Sequence, residues 1–294
     1  MIDVLPQLIA NGIIAGSIYA LIASGFSLIY ATNRFIHFAH GTMVAGSAYF
    51  VYLFFVLVGL NFFVSAILAV LCTSVLGALL YSIVYRPLQK RGSSHAILLI
   101  ASLGLYILLE NSLLLIFGAD VKTLHLIPVT KGMEFFTAII TPLQVMIVLT
   151  AFVLLVILGL FMKYSKIGMI IRAVADNADL ADTSGINTKR VQIIGFAIGS
   201  ALAGVAGILI GLEQNIEPTM GTHLMIKGFA GAIIGGVTSI PGSVLGSYLL
   251  GLVENLGIWY LPSGYKDAIA FVLLFLFLLV RPQGILGVNK GVRE

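Results

Sequence analysis

The chain has 294 residues, of which 60% are hydrophobic and only 10% are charged, and its formal net charge is +4. Soluble domains carry about a quarter charged residues, so this composition excludes a protein with a water-facing surface on all sides. The length allows many spans of about 20 apolar residues each and leaves no separate soluble domain. The single cysteine, Cys72, excludes an intrachain disulfide and a cysteine-based metal cluster.

Runs without acidic or basic residues predict the membrane spans in chain order. The stretch 35–85 contains no Asp, Glu, Lys or Arg and is long enough for two spans joined by a turn at 59–61. The glycine-rich stretch 223–262 predicts two shorter segments that are broken at 240–242. The other predicted spans are 4–33, 95–117, 142–162, 191–212 and 265–280.

The distribution of basic residues predicts which side of the membrane each loop faces. If the polar segment 163–190 faces the cytoplasm, most of the 16 lysines and arginines lie on that side, as the positive-inside rule requires. We therefore expect an all-α, polytopic integral membrane bundle of about nine crossings, including short or broken helices. Its N-terminus is predicted outside and its C-terminus inside. The lysines left on the outer side are Lys122, Lys131, Lys227 and Lys266.

The polar segment 163–190 is longer than a simple turn between two spans requires. Asp176 can cap a short helix, 177–184, by accepting hydrogen bonds from its first turn. Gly185 is suited to end this helix, since glycine adopts the left-handed conformation of a C-terminal cap. Asn187 can then cap the next span. Such a segment is either a loop helix that only joins two spans or a surface that another protein binds.

Several motifs occur in order along the chain, among them FAHG at 38–41, RAVAD at 172–176 and RPQGILG at 281–287. Together they resemble those of bacterial high-affinity branched-chain amino-acid permeases of the ATP-binding cassette importer class. In the polar segment the sequence RAVAD at 172–176 is followed by Ala181 and by GIN at 185–187. The sequence FAHG at 38–41 follows His37, where the family usually has asparagine. The resemblance covers nearly the whole chain and is closer to the smaller of two paired permeases. Further matching motifs are IYALIASG at 18–25, GFA at 228–230, GG at 235–236, IPG at 240–242 and RPQGILG at 281–287.

The resemblance implies that 1–294 form a single transmembrane permease domain in the bacterial cytoplasmic (inner) membrane. This permease would import branched-chain amino acids that an extracytoplasmic binding protein delivers. The implied partners are two ATPase subunits, a second homologous permease or a second copy of this chain, the binding protein and membrane lipid, with no nucleic acid. No cofactor is implied on this chain, whereas ATP and Mg would bind to the ATPase subunits.

The residues of the chain offer no chemistry of their own for driving transport. No glycine–lysine dipeptide occurs, so the phosphate-binding loop G-x-x-x-x-G-K-[ST] is missing, and a nucleotide would have to bind another chain. His37 and His40 are three residues apart and could share a helix face, yet no other histidine or cysteine joins them. We therefore expect no metal site and no enzymatic activity.

The resemblance implies that 163–190 is a cytoplasmic coupling loop. Its short helix would dock on an ATPase subunit and pass rigid-body movements of that subunit to the spans on either side. The residues implied in coupling are Arg172, Ala173, Asp176, Ala178, Asp179, Ala181, Asp182 and Gly185.

Three further features are candidates for the translocation pathway. The FAHG motif is one, and the glycine-rich late segment is another, because broken helices often border transport sites, although close helix packing also explains its glycines. Glu110 and Glu254 are carboxylates within spans, for which function, a structural hydrogen bond and contact with the interface remain open. The candidate pathway residues are Phe38, His40, Gly41, Glu110, Gly228, Phe229, Gly235, Gly236, Pro241 and Gly242.

Other functions remain as alternatives to branched-chain amino-acid import. Related permeases for urea, short amides or other amino acids share these motifs. A proton-coupled secondary carrier would titrate Glu110 during transport, and an ion channel would use the glycine-rich segments as a filter. Neither of these two classes needs the helix 177–184, and no TVGYG-like filter motif occurs.

Overall fold

The computed structural model of the chain describes residues 4–124, 132–135 and 137–287, and Lys131 lies outside these ranges. The helices and strands, in chain order, are α1 Leu5–Asn33, α2 His40–Val51, α3 Phe62–Leu80, α4 Arg86–Lys90, α5 His95–Phe117, β1 Met133–Phe135, β2 Ala138–Ile140, α6 Pro142–Tyr164, α7 Lys166–Asp176, α8 Ala178–Thr183, α9 Thr188–Glu213, α10 Met220–Gly235, α11 Ile240–Gly257 and α12 Lys266–Val280. Two π-helical segments, Tyr52–Leu57 and Tyr81–Tyr85, extend α2 and α3. A short 3-10 turn, Ser263–Tyr265, precedes α12.

The helices have the length and composition of membrane spans. Within the described ranges, seven helical stretches are long and apolar enough to cross a bilayer. The pair formed by α10 and α11 passes the same test together, with a bend of 117° at the break between them. The prediction of a polytopic helical membrane bundle is therefore confirmed. The antiparallel hairpin of β1 and β2 is an addition to the all-α prediction.

Polar and glycine residues set the helix ends where the sequence predicted turns. Gly59 lies in the turn before α3 with a φ of +80°, a left-handed conformation that glycine adopts without strain. The Asn61 side chain then accepts a hydrogen bond from the Phe63 backbone N–H at 2.9 Å and caps α3. Thr141 and Gln144 form a reciprocal capping box at the start of α6.

The break in the glycine-rich segment lies at 236–239, so the predicted break at 240–242 is wrong. Gly236 ends α10 with a φ of +109°. The Ser239 hydroxyl accepts a hydrogen bond from the Gly242 N–H at 3.2 Å and caps α11. Pro241 lies in the first turn of α11, where its missing N–H leaves no partner unsatisfied. This proline begins a helix and does not break one.

Helix α1 is the centre of the bundle and packs against α6, α9, α10 and α11. Small residues allow the close approach, as they do in other membrane helix pairs. A Cβ atom added to Gly25 would lie 2.6 Å from the carbonyl oxygen of Gly199, and one added to Gly199 would lie 2.7 Å from that of Gly25. By contrast, most residues of α5, α6 and α12 are exposed on the outside of the bundle.

A second close contact, between α2 and α10, gives a stability prediction. A methyl group at Gly41 would lie 2.6 Å from the Gly221 carbonyl oxygen and 2.8 Å from the Met225 Cβ. We expect Gly41→Ala to lower the free energy of unfolding by about 1–3 kcal/mol, because overpacking forces neighbouring atoms apart. In the same helix, Gly46→Ala adds a methyl group with no neighbour within 4 Å and is the matched control. Equal melting temperatures of the two purified variants would contradict this expectation.

Candidate functional site

Two helices, and not the single predicted one, occupy the segment 163–190. Helix α7 begins after Ser165, whose hydroxyl accepts a hydrogen bond from the Gly168 N–H at 2.8 Å. Ile171 and Val174 are buried on one face of α7, whereas Arg172 is exposed. The sequence prediction missed this helix, although the spacing of three between its buried residues is typical of an amphipathic helix.

Helix α8, Ala178–Thr183, begins one residue later and ends one residue earlier than the predicted helix 177–184. Its cap is Asn177, whose side-chain oxygen accepts from the Leu180 N–H at 3.0 Å, and Asp176 is the last residue of α7. The predicted cap at Asp176 is therefore wrong. Gly185 has a φ of +85°, and the N–H of Ile186 reaches back to the Ala181 carbonyl at 3.0 Å, which is the usual glycine-terminated helix end. Asn187 caps α9, as predicted, with a 3.1 Å hydrogen bond from the Arg190 N–H.

The predicted coupling residues divide into an exposed set and a buried set. Ala181 is only 5% exposed and packs in a cluster with Leu28, Ile171 and Val191, so it supports α8 from beneath. Leu180 was not among the predicted residues, yet its side chain is 64% exposed and is the large apolar group that α8 presents to solvent. Ala178 is half-buried. The exposed members of the predicted set are Arg172, Ala173, Asp176, Asp179, Asp182 and Gly185.

The α7–α8 pair is attached to the bundle at several points. Arg34 lies just beyond α1 in a left-handed conformation, and its guanidinium donates a hydrogen bond to the Ala175 carbonyl in α7. Leu28 of α1 and Val191 of α9 pack against the buried face of the pair. Because α6 leads into α7 and α8 leads into α9, the α7–α8 pair is joined by the chain or by packing to three long helices, α1, α6 and α9.

The chain between α1 and α2 returns into the interior of the bundle. His37 and His40 are fully buried, although they do not share a helix face, since His37 precedes α2. The His40 Nε2 lies 3.1 Å from the Ile22 carbonyl oxygen, well before the end of α1. The His37 Nδ1 lies 2.8 Å from the Tyr85 hydroxyl. Helix α2 therefore begins inside the bundle, and both histidines have hydrogen-bonding roles there.

The predicted pathway residues fall into three places. Phe38 and Phe229 lie together, with ring centroids 6.1 Å apart, and both are half-buried. Gly41 and Gly228 support this region by packing against α10 and α1, respectively. At the end of the bundle that carries α7, Gly235 and Gly242 pack against each other, and Gly236 contacts the segment after α12, so their role is close packing. Pro241 is exposed there.

Glu110 lies apart from the aromatic pair, at the contact between α5 and α10. Its carboxylate accepts a hydrogen bond from the Thr222 hydroxyl at 3.3 Å, and Thr222 also contacts the Tyr106 hydroxyl. Glu110 lines a cleft of 330 Å³ whose other polar residues include Asn111 and Glu217. This half-buried position is open to a neighbouring subunit or solvent.

A buried ionic cluster joins four helices, and the sequence revealed only one of its members as a candidate. Lys227 of α10 contacts Glu254 of α11 at 3.2 Å and Asp267 of α12 at 3.1 Å. Tyr19 of α1 donates its hydroxyl to the same Glu254 carboxylate at 3.1 Å. The side chain of Glu254 is 1% exposed and that of Lys227 is 12% exposed. For Glu254 the sequence left open a functional role and a contact with the membrane interface. This geometry instead shows the carboxylate in a buried ion pair between helices.

Among the described residues, no group of three or more His, Cys, Asp or Glu side chains could hold a metal ion.

The chain is similar to transport permeases over almost its full length. The profile of a family described as "Branched-chain amino acid transport system / permease component" matches residues 8–278. The high-affinity branched-chain amino acid transport system permease protein LivH of Salmonella typhimurium is 37% identical over 96% of this chain and 95% of its own length. The corresponding protein BraD of Pseudomonas aeruginosa is 36% identical over the same shares, and a probable LivH of Methanocaldococcus jannaschii is 30% identical over 96% and 93%.

One solved structure has a similar fold. It is PsaBC from Streptococcus pneumoniae in complex with Fab, which superimposes with a TM-score of 0.52 at 12% sequence identity. The similarity covers 96% of this chain and 95% of that one, and at this identity it concerns the fold alone.

Proposed function

The chain belongs to the family of branched-chain amino-acid transport permease components, and from this premise we propose that it forms the membrane pathway of an ATP-driven importer. Family members are transport subunits and not enzymes. Branched-chain amino acids are the proposed substrates, and an extracytoplasmic binding protein delivers them. ATP and Mg bind to two partner ATPase subunits, and the importer lies in the bacterial cytoplasmic (inner) membrane.

The α7–α8 pair is the observation that carries this proposal. It presents Asp179, Leu180 and Asp182 to solvent on a capped helix that is anchored to the bundle. An apolar side chain flanked by charges is a typical anchor for another protein, because burying it on binding removes apolar surface from water. The segment 163–190 is thus proposed as the cytoplasmic coupling loop within one permease domain, 1–294.

We propose nine crossings, and contacts at the helix ends support an N-terminus outside and a C-terminus inside. The start of α1 lies beside β2, where Gln7 exchanges two hydrogen bonds with the backbone of Ile139, whereas its end lies beside α7. The segment after α12 pairs with the end of α10 through the N–H of Ile285 and the Ile234 carbonyl at 2.9 Å. If α10 and α11 each cross once, the two ends of the chain lie on opposite sides.

We place the translocation pathway along α5 and α10, where this chain meets a second permease or a second copy of itself. Two observations support this location. The half-buried rings of Phe38 and Phe229 contact each other at α10, and the half-buried Glu110 of α5 lines a cleft next to the start of α10. His40 and Gly41 act beneath this surface by fixing the start of α2.

Reconstitution with candidate partners tests the proposed function. The chain is placed in vesicles with its ATPases and second permease, the binding protein is added outside, and uptake of labelled leucine is measured with and without ATP inside. We expect uptake only when every component and ATP are present. Urea, acetamide and a polar amino acid are measured in parallel, and a preference for one of them would replace the proposed substrate. Accumulation driven by a proton gradient without ATPases would overturn the proposal.

A further inference from the structure

A long groove opens on the side of the bundle near the α7–α8 end. It has a volume of 850 Å³ and lies between α1, α6, α7 and the start of α11. Its walls are apolar and include Leu28, Phe152, Val156 and Leu245. Phe152 and Leu245 are 60% and 50% exposed, so the groove is open along its length to the surroundings of the bundle. In a membrane-spanning protein those surroundings are acyl chains.

The mouth of the groove is basic and polar. Lys163 and Arg172 line it, and the Arg172 guanidinium donates a hydrogen bond to the Lys163 carbonyl oxygen at 3.2 Å, which holds the guanidinium at the rim. Thr238 and Ser239, at the start of α11, add two hydroxyl groups to the same mouth. None of the residues that line the groove is acidic. An anionic group at the mouth would therefore meet two cations and hydroxyl donors.

We propose that this groove is a binding site for an anionic glycerophospholipid. The phosphate is held by Lys163 and Arg172, and one acyl chain lies along the apolar wall of α6. The charges and the apolar wall match the two parts of such a lipid, since basic residues at the membrane surface attract anionic headgroups. A soluble anion would bind only at the mouth and leave the apolar wall uncovered. A protein partner would have to supply both an anionic group and an apolar segment.

A second groove gives an internal comparison. It has a volume of 460 Å³ and lies between α1 and α6 at their opposite ends, near β2. Gln144 is the single polar residue among those that line it, and none of them is charged. The same pair of helices thus offers apolar walls at both ends but cations only at the α7–α8 end. Selection for headgroup charge is expected at that end alone.

Native mass spectrometry with two matched pairs of variants tests this site. The full chain, with any partners that co-purify, is equilibrated in detergent with equal amounts of phosphatidylglycerol and phosphatidylcholine. We expect the parent chain to retain phosphatidylglycerol in preference to phosphatidylcholine. In Lys163→Gln/Arg172→Gln the affinity for phosphatidylglycerol is expected to fall by about tenfold or more, since each cation contributes roughly fivefold to this affinity. The control, Lys166→Gln/Arg190→Gln, removes the same charge from exposed residues that do not line the groove and should retain the lipid.

The second pair fills space without changing charge. Gly159 lines the groove and has no neighbour within 4 Å of an added Cβ, and Gly104 of α5 is equally open but lies elsewhere. We expect Gly159→Phe to displace the lipid and Gly104→Phe to keep it, with both melting temperatures close to that of the parent chain. Equal retention in the two charge variants, or retention in Gly159→Phe, would overturn the proposal. So would a crosslink between two chains through Val156→Cys in a Cys72→Ala background, which would assign the groove to a second copy.

Discussion

Replacement of Leu180 by aspartate is expected to abolish ATP-driven uptake and to release the ATPase while the bundle stays folded. Leu180 is 64% exposed, so the isolated chain loses almost no buried surface when this side chain changes. In the proposed complex the same side chain is buried against the ATPase, where loss of a central apolar anchor costs about 2 kcal/mol or more. A carboxylate in that place adds the cost of burying an unpaired charge.

The measurements are leucine uptake in vesicles, ATPase retained on the affinity-purified chain, and the melting temperature. Leu180→Met is the matched control, because methionine keeps the apolar surface and the helix propensity. We expect Leu180→Met to retain uptake and Leu180→Asp to lose it, with melting temperatures within a few degrees of each other. Full ATPase retention in Leu180→Asp would show that α8 is only a linker between α6 and α9.

Replacement of Lys227 by methionine is expected to lower the free energy of unfolding by about 3–5 kcal/mol, since it leaves a buried charge without its partner. Glu254 is 1% exposed and lies 3.2 Å from the lysine ammonium group. Its other contact is the Tyr19 hydroxyl, which cannot neutralise the carboxylate. Lys227→Met/Glu254→Leu should recover most of the loss, because an apolar pair of similar volume has no charge to desolvate.

Asp267 provides the control for this ionic cluster. It contacts the same lysine at 3.1 Å, but its side chain is 56% exposed, so water screens the interaction. We expect Asp267→Asn to cost about 0–1 kcal/mol. Unfolding in mixed detergent, followed for the parent chain and all three variants, measures the differences. Similar losses in Asp267→Asn and Lys227→Met would contradict the dominance of the buried pair.

Local signals in the sequence predicted the helices well where a capping residue stands alone. The predicted cap Asn187 begins α9, and the predicted terminator Gly185 ends α8 in the left-handed conformation. Asn61, predicted only as part of a turn, caps α3. Prediction failed by one residue where two cap-forming residues are adjacent, because Asp176 and Asn177 have the same capacity to accept from a first turn. Pro241 was misplaced for a related reason, since proline is compatible with both a break and a first helical turn.

Features that depend on contacts distant in the sequence were not predictable from it. The pairing of Lys227 with Glu254 requires the bend between α10 and α11, and the distribution of basic residues had only assigned Lys227 to the outer side. The exposure of Leu180 and the burial of Ala181 depend on how α8 lies against α7 and α9. Both residues are apolar, so their side chains alone do not distinguish them. Only the packing shows that Leu180 lies on the exposed surface and that Ala181 supports α8 from beneath.

The central position of α1 has a consequence for biogenesis. This helix is synthesised before the other described helices, yet three of the helices that enclose it, α9, α10 and α11, come late in the chain. Until they arrive, its glycine-rich flank must face lipid, and Glu254, which accepts the hydrogen bond of the Tyr19 hydroxyl, is missing. Membrane insertion of α1 and its packing into the bundle are therefore separated in time. The bundle closes around α1 only after α11 has been synthesised.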